Sequence, residues 1–257
     1  MTSYDAQRHL FNTALSLLPG GIINTVIANA GVGETYDVTE PHYPPTDDPP
    51  EPELTTIDVN VKGVIFTSRL ALHHFQRNPA GSDRHLLLMG SMASFVDTCG
   101  VVAMYGASKH AVLGWFRSLR MFAGVHNREV RINLLCPYFV ATPIISTVGR
   151  ILLAGMDLAT TDDVVEATGR LVSEPGARGR VLAVMPKSGG GIMEMDVAEM
   201  KQVEEFSRRV IGVLEAKSKV KTWVMFAWDM VYILGVSRVL GALGLVLAVF
   251  WITNKNA

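Results

Sequence analysis

Two spacings of apolar residues alternate along the first 184 residues of the chain. Short apolar runs, typical of buried strands, lie at residues 22–28, 85–89, 130–135 and 180–184. Apolar residues recur at the three- and four-residue spacing of helices at residues 4–18, 56–77, 104–123 and 161–172. This alternation of strands and helices predicts an α/β fold, a doubly wound parallel sheet with right-handed crossovers.

The pattern changes towards the C-terminus. An apolar segment begins at Val231 and ends at Ile252, and its only strongly polar residues are Ser237 and Arg238. It approaches the roughly 20 residues that span a bilayer, which predicts a membrane anchor; a buried terminal helix or a dimer contact is the alternative. Arg238 would cost about 2.5 to 3.5 kcal/mol at the centre of a span, which favours a shorter or interfacial helix. The predicted division is an α/β domain (1–190), a charged helical extension (191–222) and an apolar C-terminal helix (223–257).

Charge and cysteine content exclude several functional classes. The formal net charge is -1 and there is no long run of Lys or Arg, so nucleic acid is not an expected partner. Cys99 and Cys136 have neither the density of a disulfide scaffold nor a metal-ligand spacing, and the histidines form no metal-binding pattern. The N-terminal residues lack the pattern of a secretory signal. We therefore expect no metal, reduced thiols and a cytosol-facing protein that forms homo-oligomers or associates with a membrane.

Three short segments with turn-forming residues follow the predicted strands. They are Asn29-Ala30-Gly31, Gly90-Ser91 and the segment from Pro137 to Thr142. Ligands of parallel α/β sheets bind beyond the carboxyl ends of the strands. The sequence therefore predicts a binding site where these three segments meet.

Tyr105 and Lys109 lie four residues apart within the predicted helix at residues 104–123. At that spacing two side chains share one helix face, with about 5 to 6 Å between their Cβ atoms. A lysine ammonium there favours the phenolate, so we expect it to lower the tyrosine pKa from its usual value near 10. Such a tyrosine can exchange a proton with a substrate oxygen. The pair predicts acid/base chemistry at an alcohol or carbonyl group.

Three sequence strings accompany this pair: MGS at residues 89–91, YGASKHAV at 105–112 and RINLLCP at 131–137. Together they resemble the short-chain dehydrogenase/reductase family over residues 1–184. The resemblance implies a Rossmann-like fold and an oxidoreductase that uses NAD or NADP, a choice that the sequence does not reveal. The strings are most similar to the subgroup related to 15-hydroxyprostaglandin dehydrogenase, including fungal homologues that modify polyketides. This implies a lipophilic secondary alcohol or ketone as substrate, in secondary metabolism.

The resemblance assigns catalytic roles to four residues. It implies that Tyr105 is the acid/base, that Lys109 tunes its pKa and binds the nicotinamide ribose, and that Ser91 hydrogen-bonds the substrate oxygen. Asn60 matches a helix asparagine that completes a proton relay through water to the lysine; a buried amide satisfied by the backbone is the alternative. Ser91 lies one position further from Tyr105 than is usual in the family, so Ser94 is the second candidate.

The resemblance also implies two cofactor-binding segments besides Tyr105 and Lys109. Asn29, Ala30 and Gly31 match a turn whose small residues let the backbone approach the adenosine moiety. Residues Pro137, Val140 and Thr142 match the loop that touches the nicotinamide carboxamide, and Tyr138 stands there in place of the usual glycine.

The family's N-terminal part has no match in this sequence. A strand, a glycine-rich turn that seats the pyrophosphate on a helix N-terminus and a second strand normally precede the region that residues 1–3 match. We therefore expect an N-terminally truncated Rossmann-like domain. Three explanations are open: an incomplete product, a degenerate homologue with weak cofactor binding, and a site completed by another subunit. The alternative function is a non-catalytic, membrane-associated binding protein.

Overall fold

The computed structural model describes residues 1–37, 48–98, 102–126 and 129–196. Its helices are α1 (Tyr4–Leu17), α2 (Thr55–Ile57), α3 (Gly63–Phe75), α4 (Ala103–His126), α5 (Thr147–Leu152) and α6 (Thr161–Ser173). Its strands are β1 (Thr25–Ala28), β2 (Arg84–Met89), β3 (Val130–Pro137), β4 (Val181–Val184) and β5 (Ile192–Glu194). Each strand and helix predicted up to residue 184 is present, with its ends shifted by a few residues. The predicted α/β fold is confirmed.

The strands form one sheet in the order β1-β2-β3-β4-β5. β1 to β4 are parallel, and β5 runs antiparallel to β4. The register places Ala28 beside Leu88 and Met89 beside Leu135. The carboxyl ends of β1, β2 and β3 therefore lie side by side, and the turns that follow them share one edge of the sheet.

Alternate residues of each central strand face opposite layers of helices. In β2, Leu86 and Leu88 belong to a core cluster that includes Phe75 of α3 and Phe116 of α4. Leu87 faces the other way and belongs to a second cluster that includes side chains of α6. All five side chains are fully buried. Helices thus cover both faces of the sheet, as a doubly wound fold requires.

Strand β5 is not among the strands that the sequence predicts. Gly190 and Gly191 take positive φ values of 105° and 65°, which glycine adopts without a steric penalty. They reverse the chain, so that Ile192 pairs with Val184. The sheet therefore continues beyond the predicted domain boundary at residue 190, and Met1–Val197 form one compact unit.

No helix among the described residues is long and apolar enough to cross a membrane. The predicted anchor at residues 231–252 lies outside these residues, as do Cys99 and the charged extension beyond residue 196. These therefore stay predictions. Cys136 is a buried free thiol.

A buried polar group lies at the opposite, amino-terminal edge of the sheet. His85 of β2 is fully buried, and its Nε2 lies 3.0 Å from the amide nitrogen of Asn133. Its Nδ1 has no hydrogen-bond partner among the described residues. Burial lowers the pKa of His85 to about 4, and the nearby charge of Arg131 acts in the same direction. His85 is therefore neutral in the folded protein at neutral pH.

This histidine predicts a pH-dependent loss of stability. Below its ordinary pKa of 6.5 the unfolded chain binds a proton that the folded chain does not bind until about pH 4. The free energy of unfolding should therefore decrease as the pH is lowered from 6.5 to about 4, and His85 should account for roughly 2 to 3 kcal/mol of this decrease. Urea denaturation of the wild type and of His85→Gln across this range measures the effect. The variant should show the shallower pH dependence, and equal dependence in both proteins would contradict the prediction.

Candidate active site

Tyr105 and Lys109 lie on consecutive turns near the start of α4. The Lys109 Nζ lies 5.6 Å from the centre of the Tyr105 ring. It donates a hydrogen bond of 3.2 Å to the carbonyl oxygen of Met89, the last residue of β2. Lys109 is only 6% exposed. The helix thus brings the pair together, and the end of β2 holds the ammonium group in place.

Burial determines the protonation of both groups. It raises the pKa of Tyr105, and a hydrogen bond with Ser91 offsets this only in part. It lowers the pKa of Lys109 to about 8 because the ammonium group is removed from water. The sequence predicts the opposite direction for Tyr105, and the structure corrects this because desolvation of the phenol is the largest effect. Tyr105 therefore holds its proton at neutral pH.

The two candidate serines have different surroundings. Ser91 is half-buried and lies close enough to the phenol to lower the pKa of Tyr105, and its hydroxyl accepts a hydrogen bond from the Ala93 N–H. Ser94 is 1% exposed and donates to the carbonyl oxygen of Lys109 at 2.9 Å. Ser94 therefore holds the turn after β2 against α4, and Ser91 is the serine beside the phenol.

Gly90 makes the close packing beneath Ser91 possible. A Cβ atom at this position would lie 2.7 Å from the Sγ of Cys136 and 3.2 Å from a methyl group of Leu134. Gly90 also donates its N–H to the carbonyl oxygen of Leu135 at 2.8 Å. Any side chain at this position would therefore push the turn that carries Ser91 away from β3.

Gly90→Ala should lower the free energy of unfolding by about 1 to 3 kcal/mol through this overpacking. The cost should shrink in a Cys136→Ala background, because the nearest clashing atom is then gone. Gly114→Ala is the matched control, because Gly114 lies in α4 and a Cβ atom there would meet nothing within 4 Å. This variant should raise the free energy of unfolding by up to about 1 kcal/mol, since alanine has the higher helix propensity. Denaturation of the four proteins of the Gly90/Cys136 cycle measures the coupling, and an equal cost in both backgrounds would contradict it.

Asn60 lies in a single π-helical turn, Asp58–Lys62, that joins α2 to α3. Its side chain accepts from the Val32 N–H at 2.8 Å and donates to the Val32 carbonyl oxygen at 2.9 Å. It also donates to the Ser108 hydroxyl of α4 at 3.1 Å. The alternative of a backbone-satisfied amide therefore describes this side chain, and a proton relay through Asn60 stays a prediction. Such π-turns often occur at functional sites.

The turn after β1 lies against the acid/base pair. A Cβ atom at Gly31 would be 3.2 Å from the Oδ1 of Asn60 and 3.8 Å from the Nζ of Lys109. Asn29 and Ala30 precede it on the exposed surface. The absence of a side chain at residue 31 therefore leaves a small space directly beside the lysine ammonium group.

The loop after β3 reaches the same edge of the sheet. The carbonyl oxygen of Pro137 lies 3.5 Å from the Ser91 hydroxyl, which donates to it. Val140 pairs with Ala159 in a short bridge, and Thr142 donates its N–H to the Val140 carbonyl oxygen at 2.7 Å. The structure thus brings Pro137 to the serine, whereas Val140 and Thr142 are held by contacts within the loop and to residue 159. The Tyr138 ring packs edge-on against that of Phe139.

Sequence reasoning missed three polar residues around the site. Ser108 donates to the Tyr105 carbonyl oxygen at 2.7 Å, and Thr56 donates to the Gly33 carbonyl oxygen at 3.0 Å. Glu34 accepts a hydrogen bond of 2.7 Å from the backbone N–H of Tyr105. Ser108 lies inside the string at residues 105–112, so that string could have pointed to it. Glu34 and Thr56 lie outside any motif, and only the fold shows their contacts.

Comparison with known proteins places this arrangement in a family. The model of the short chain dehydrogenases matches residues 1–150, more than half of the chain. The chain belongs to the short-chain dehydrogenase family. The resemblance seen in the sequence strings is thereby confirmed.

Fungal and mammalian dehydrogenases are among its relatives. The 5'-hydroxyaverantin dehydrogenase of Dothistroma septosporum is 33% identical over 204 residues, which cover 73% of this chain and 66% of the relative. The 5'-hydroxyaverantin dehydrogenase of Emericella nidulans is 33% identical over 208 residues, covering 73% and 67%. The 15-hydroxyprostaglandin dehydrogenase (NAD+) of Bos taurus is 33% identical over 93 residues, covering 36% and 35%. The chain thus spans about two thirds of the length of these two fungal short-chain dehydrogenases.

Solved structures of a reductase and a dehydrogenase share the fold. A 3-ketoacyl-(acyl-carrier-protein) reductase from Brucella melitensis, complexed with NADH, superposes with a TM-score of 0.58 at 24% identity, covering 72% of this chain and 74% of that one. A 4-hydroxyisoleucine dehydrogenase complexed with NADH gives a TM-score of 0.55 at 20% identity, covering 71% and 75%. This structural likeness establishes that the chain has a Rossmann-like fold.

Proposed function

We propose that the chain is an NAD(P)-dependent oxidoreductase that interconverts a secondary alcohol and a ketone on a lipophilic small molecule. The observation that carries this proposal is the arrangement of Ser91, Tyr105 and Lys109 at the carboxyl edge of the sheet in a short-chain dehydrogenase. Ser91 lies beside the phenol and lowers its pKa, and the Lys109 ammonium group lies 5.6 Å from the centre of the Tyr105 ring. A hydroxyl group and a phenol in this arrangement can both donate hydrogen bonds to the same substrate oxygen atom.

The surroundings of Lys109 fit the ribose end of a nicotinamide cofactor. An ammonium group has three donor hydrogens, of which Met89 accepts one. The space above Gly31 opens directly beside this nitrogen, where a Cβ would fill it. Hydroxyl groups of a ribose are suitable acceptors there. By family resemblance, the adenosine side would lie along Asn29, Ala30 and Gly31, and the carboxamide along Pro137, Val140 and Thr142.

The protein's own residues handle the proton and the substrate oxygen. In reduction, the Ser91 hydroxyl donates a hydrogen bond to the ketone oxygen and the Tyr105 phenol transfers its proton to that oxygen. In oxidation, the Tyr105 phenolate accepts the alcohol proton, and the Lys109 ammonium group stabilises the phenolate. The nicotinamide, when bound, donates or accepts the hydride. Asn60 keeps the turn at residue 32 against α4, which preserves the site's geometry.

Exposed apolar side chains support a lipophilic substrate. Phe139 is 43% exposed and Ile144 is 49% exposed, both in the loop after β3. The backbone of Ile144 lies beside Gly33, so this loop borders the turn that carries Gly31. An apolar border next to a few polar groups is typical of small-molecule sites. The role in secondary metabolism is proposed from the resemblance of the sequence strings to fungal homologues that modify polyketides.

Titration of the purified chain with NADH and with NADPH tests the proposal, followed by nicotinamide fluorescence. We expect a saturable signal with at least one of them, and competition by the corresponding oxidised cofactor. No saturable signal with either would overturn the proposal.

Membrane association through residues 231–252 is part of the same proposal, because a lipophilic substrate partitions into membranes. Deleting residues 231–257 should move the protein from the membrane fraction to the supernatant, since the apolar segment is the expected anchor. Fractionation followed by immunoblotting measures this. Identical fractionation of the full chain and the deletion variant would rule the anchor out.

A further inference from the structure

Helix α4 receives its N-terminal cap from a distant part of the chain. The first N–H groups of a helix have no partner within the helix, and a nearby side chain usually accepts from them. Here the acceptor for the Tyr105 N–H is the Oε2 of Glu34, 71 residues away, at 2.7 Å. A carboxylate at this end of a helix is stabilised by the helix dipole, and a hydrogen bond to a charged acceptor is stronger than a neutral one.

The turn that carries Glu34 is itself held at several points. Asn60 hydrogen-bonds both backbone groups of Val32. The Thr56 hydroxyl donates to the Gly33 carbonyl oxygen at 3.0 Å and accepts from the Thr35 N–H at 3.2 Å. The residues on both sides of Glu34 are therefore fixed to the segment that contains the π-turn. A hydrogen bond from this turn fixes the first turn of α4 in relation to it.

The environment of the carboxylate indicates that its placement is constrained. Its second oxygen, Oε1, is buried and has no hydrogen-bond partner among the described residues. Burying an unpartnered carboxylate oxygen is unfavourable, so such a group usually has a role that compensates for the cost. Helices are usually capped by a Ser, Thr, Asn or Asp just before the first turn, so a simple cap needs no distant glutamate with a buried oxygen atom.

We propose that Glu34 is a positioning residue for Tyr105. Through the Tyr105 N–H it fixes the phenol relative to Ser91 and Lys109, and relative to the turn that carries Gly31. It contacts none of the reacting atoms. This inference rests on the proposed function, because it assigns Glu34 to the acid/base step of that reaction.

Three variants of Glu34 test the proposal. Glu34→Ala removes the acceptor, Glu34→Gln keeps an acceptor oxygen at the same reach, and Glu34→Asp shortens the reach by one methylene group. The matched control is Ser3→Ala, which removes the cap of α1, where the Ser3 hydroxyl accepts from the Ala6 N–H on the exposed surface. Residue-resolved hydrogen exchange of the Tyr105 amide reports the contact without any need for turnover.

We expect Glu34→Ala and Glu34→Asp to speed exchange of the Tyr105 amide about tenfold or more, as loss of a charged hydrogen bond allows. In the same variants kcat should fall about tenfold or more while the KM for substrate stays within about threefold, since binding contacts remain. Glu34→Gln should restore both quantities to within about threefold of wild type. Ser3→Ala should change neither.

An unchanged hydrogen-exchange rate of the Tyr105 amide in Glu34→Ala would overturn the proposal. A KM rise with constant kcat would overturn it too, as would failure of Glu34→Gln to restore the wild-type values. If Glu34→Ala does not fold, the comparison of Glu34→Asp with Glu34→Gln decides in the same way. If the wild type binds no cofactor and turns nothing over, the proposed function fails, whereas the exchange measurement still shows whether Glu34 holds Tyr105.

Discussion

Replacing Tyr105 by Phe should lower kcat by about 10²- to 10⁴-fold, the usual contribution of a general acid/base. The variant lacks only the hydroxyl that exchanges a proton with the substrate oxygen. The fold and the cofactor contacts proposed for Lys109 should persist, so the NADH or NADPH titration should match that of the wild type. Initial rates with secondary alcohols and ketones, measured by nicotinamide absorbance, give the result.

The pH dependence of this reaction follows from the burial of Tyr105. Because its pKa is raised, the phenol is protonated at neutral pH and is ready to donate in ketone reduction. Alcohol oxidation needs the phenolate, so its rate should increase with pH up to about pH 8, where Lys109 begins to lose the charge that stabilises the phenolate. Tyr105→Phe should lose this increase. If Phe at residue 105 leaves turnover unchanged, the non-catalytic binding protein is the better description.

Lys109→Met should abolish turnover and at the same time stabilise the fold. The buried ammonium group has a pKa of about 8, against 10.5 in an unfolded chain, which corresponds to a cost of roughly 3 kcal/mol below pH 8. Methionine has a similar length and no charge. Since the Met89 carbonyl oxygen loses its donor, the net gain at pH 7 should be about 1 to 2 kcal/mol.

The difference in stability between Lys109→Met and the wild type should depend on pH. Between about pH 8 and pH 10.5 the folded protein loses the Lys109 proton while the unfolded chain keeps it, so the wild type becomes more stable as the pH rises. The advantage of Lys109→Met should therefore shrink across this range. Urea denaturation at several pH values measures it. A variant that is less stable than the wild type at pH 7, or an advantage that grows with pH, would contradict this account.

The sequence predicts the sheet and the edge that carries the site, because both depend on local patterns. Buried parallel strands are short apolar runs, and the strings at residues 89–91 and 105–112 contain the candidate site residues Ser91, Tyr105 and Lys109. β5 depends instead on two glycines with positive φ that reverse the chain, which the apolar pattern does not reveal. The π-turn at Asn60 likewise appears as ordinary helix periodicity in the sequence.

Burial and long-range contacts explain the remaining differences. A four-residue spacing between Tyr105 and Lys109 predicts their proximity but not their desolvation. That desolvation reverses the expected direction of the tyrosine pKa. The contact of Glu34 with Tyr105 joins segments 71 residues apart, and no periodicity encodes it. Tertiary structure is needed to place such residues.

The most direct test of the central claim is the transfer of the cofactor hydrogen itself. The purified full chain is incubated with NADH or NADPH deuterated at the reactive nicotinamide carbon and with a panel of lipophilic ketones, and the products are analysed by mass spectrometry. We predict deuterium on the carbinol carbon of at least one product with the wild type, and loss of that product with Tyr105→Phe. No deuterium in any product, from protein that binds the reduced cofactor, would contradict the account.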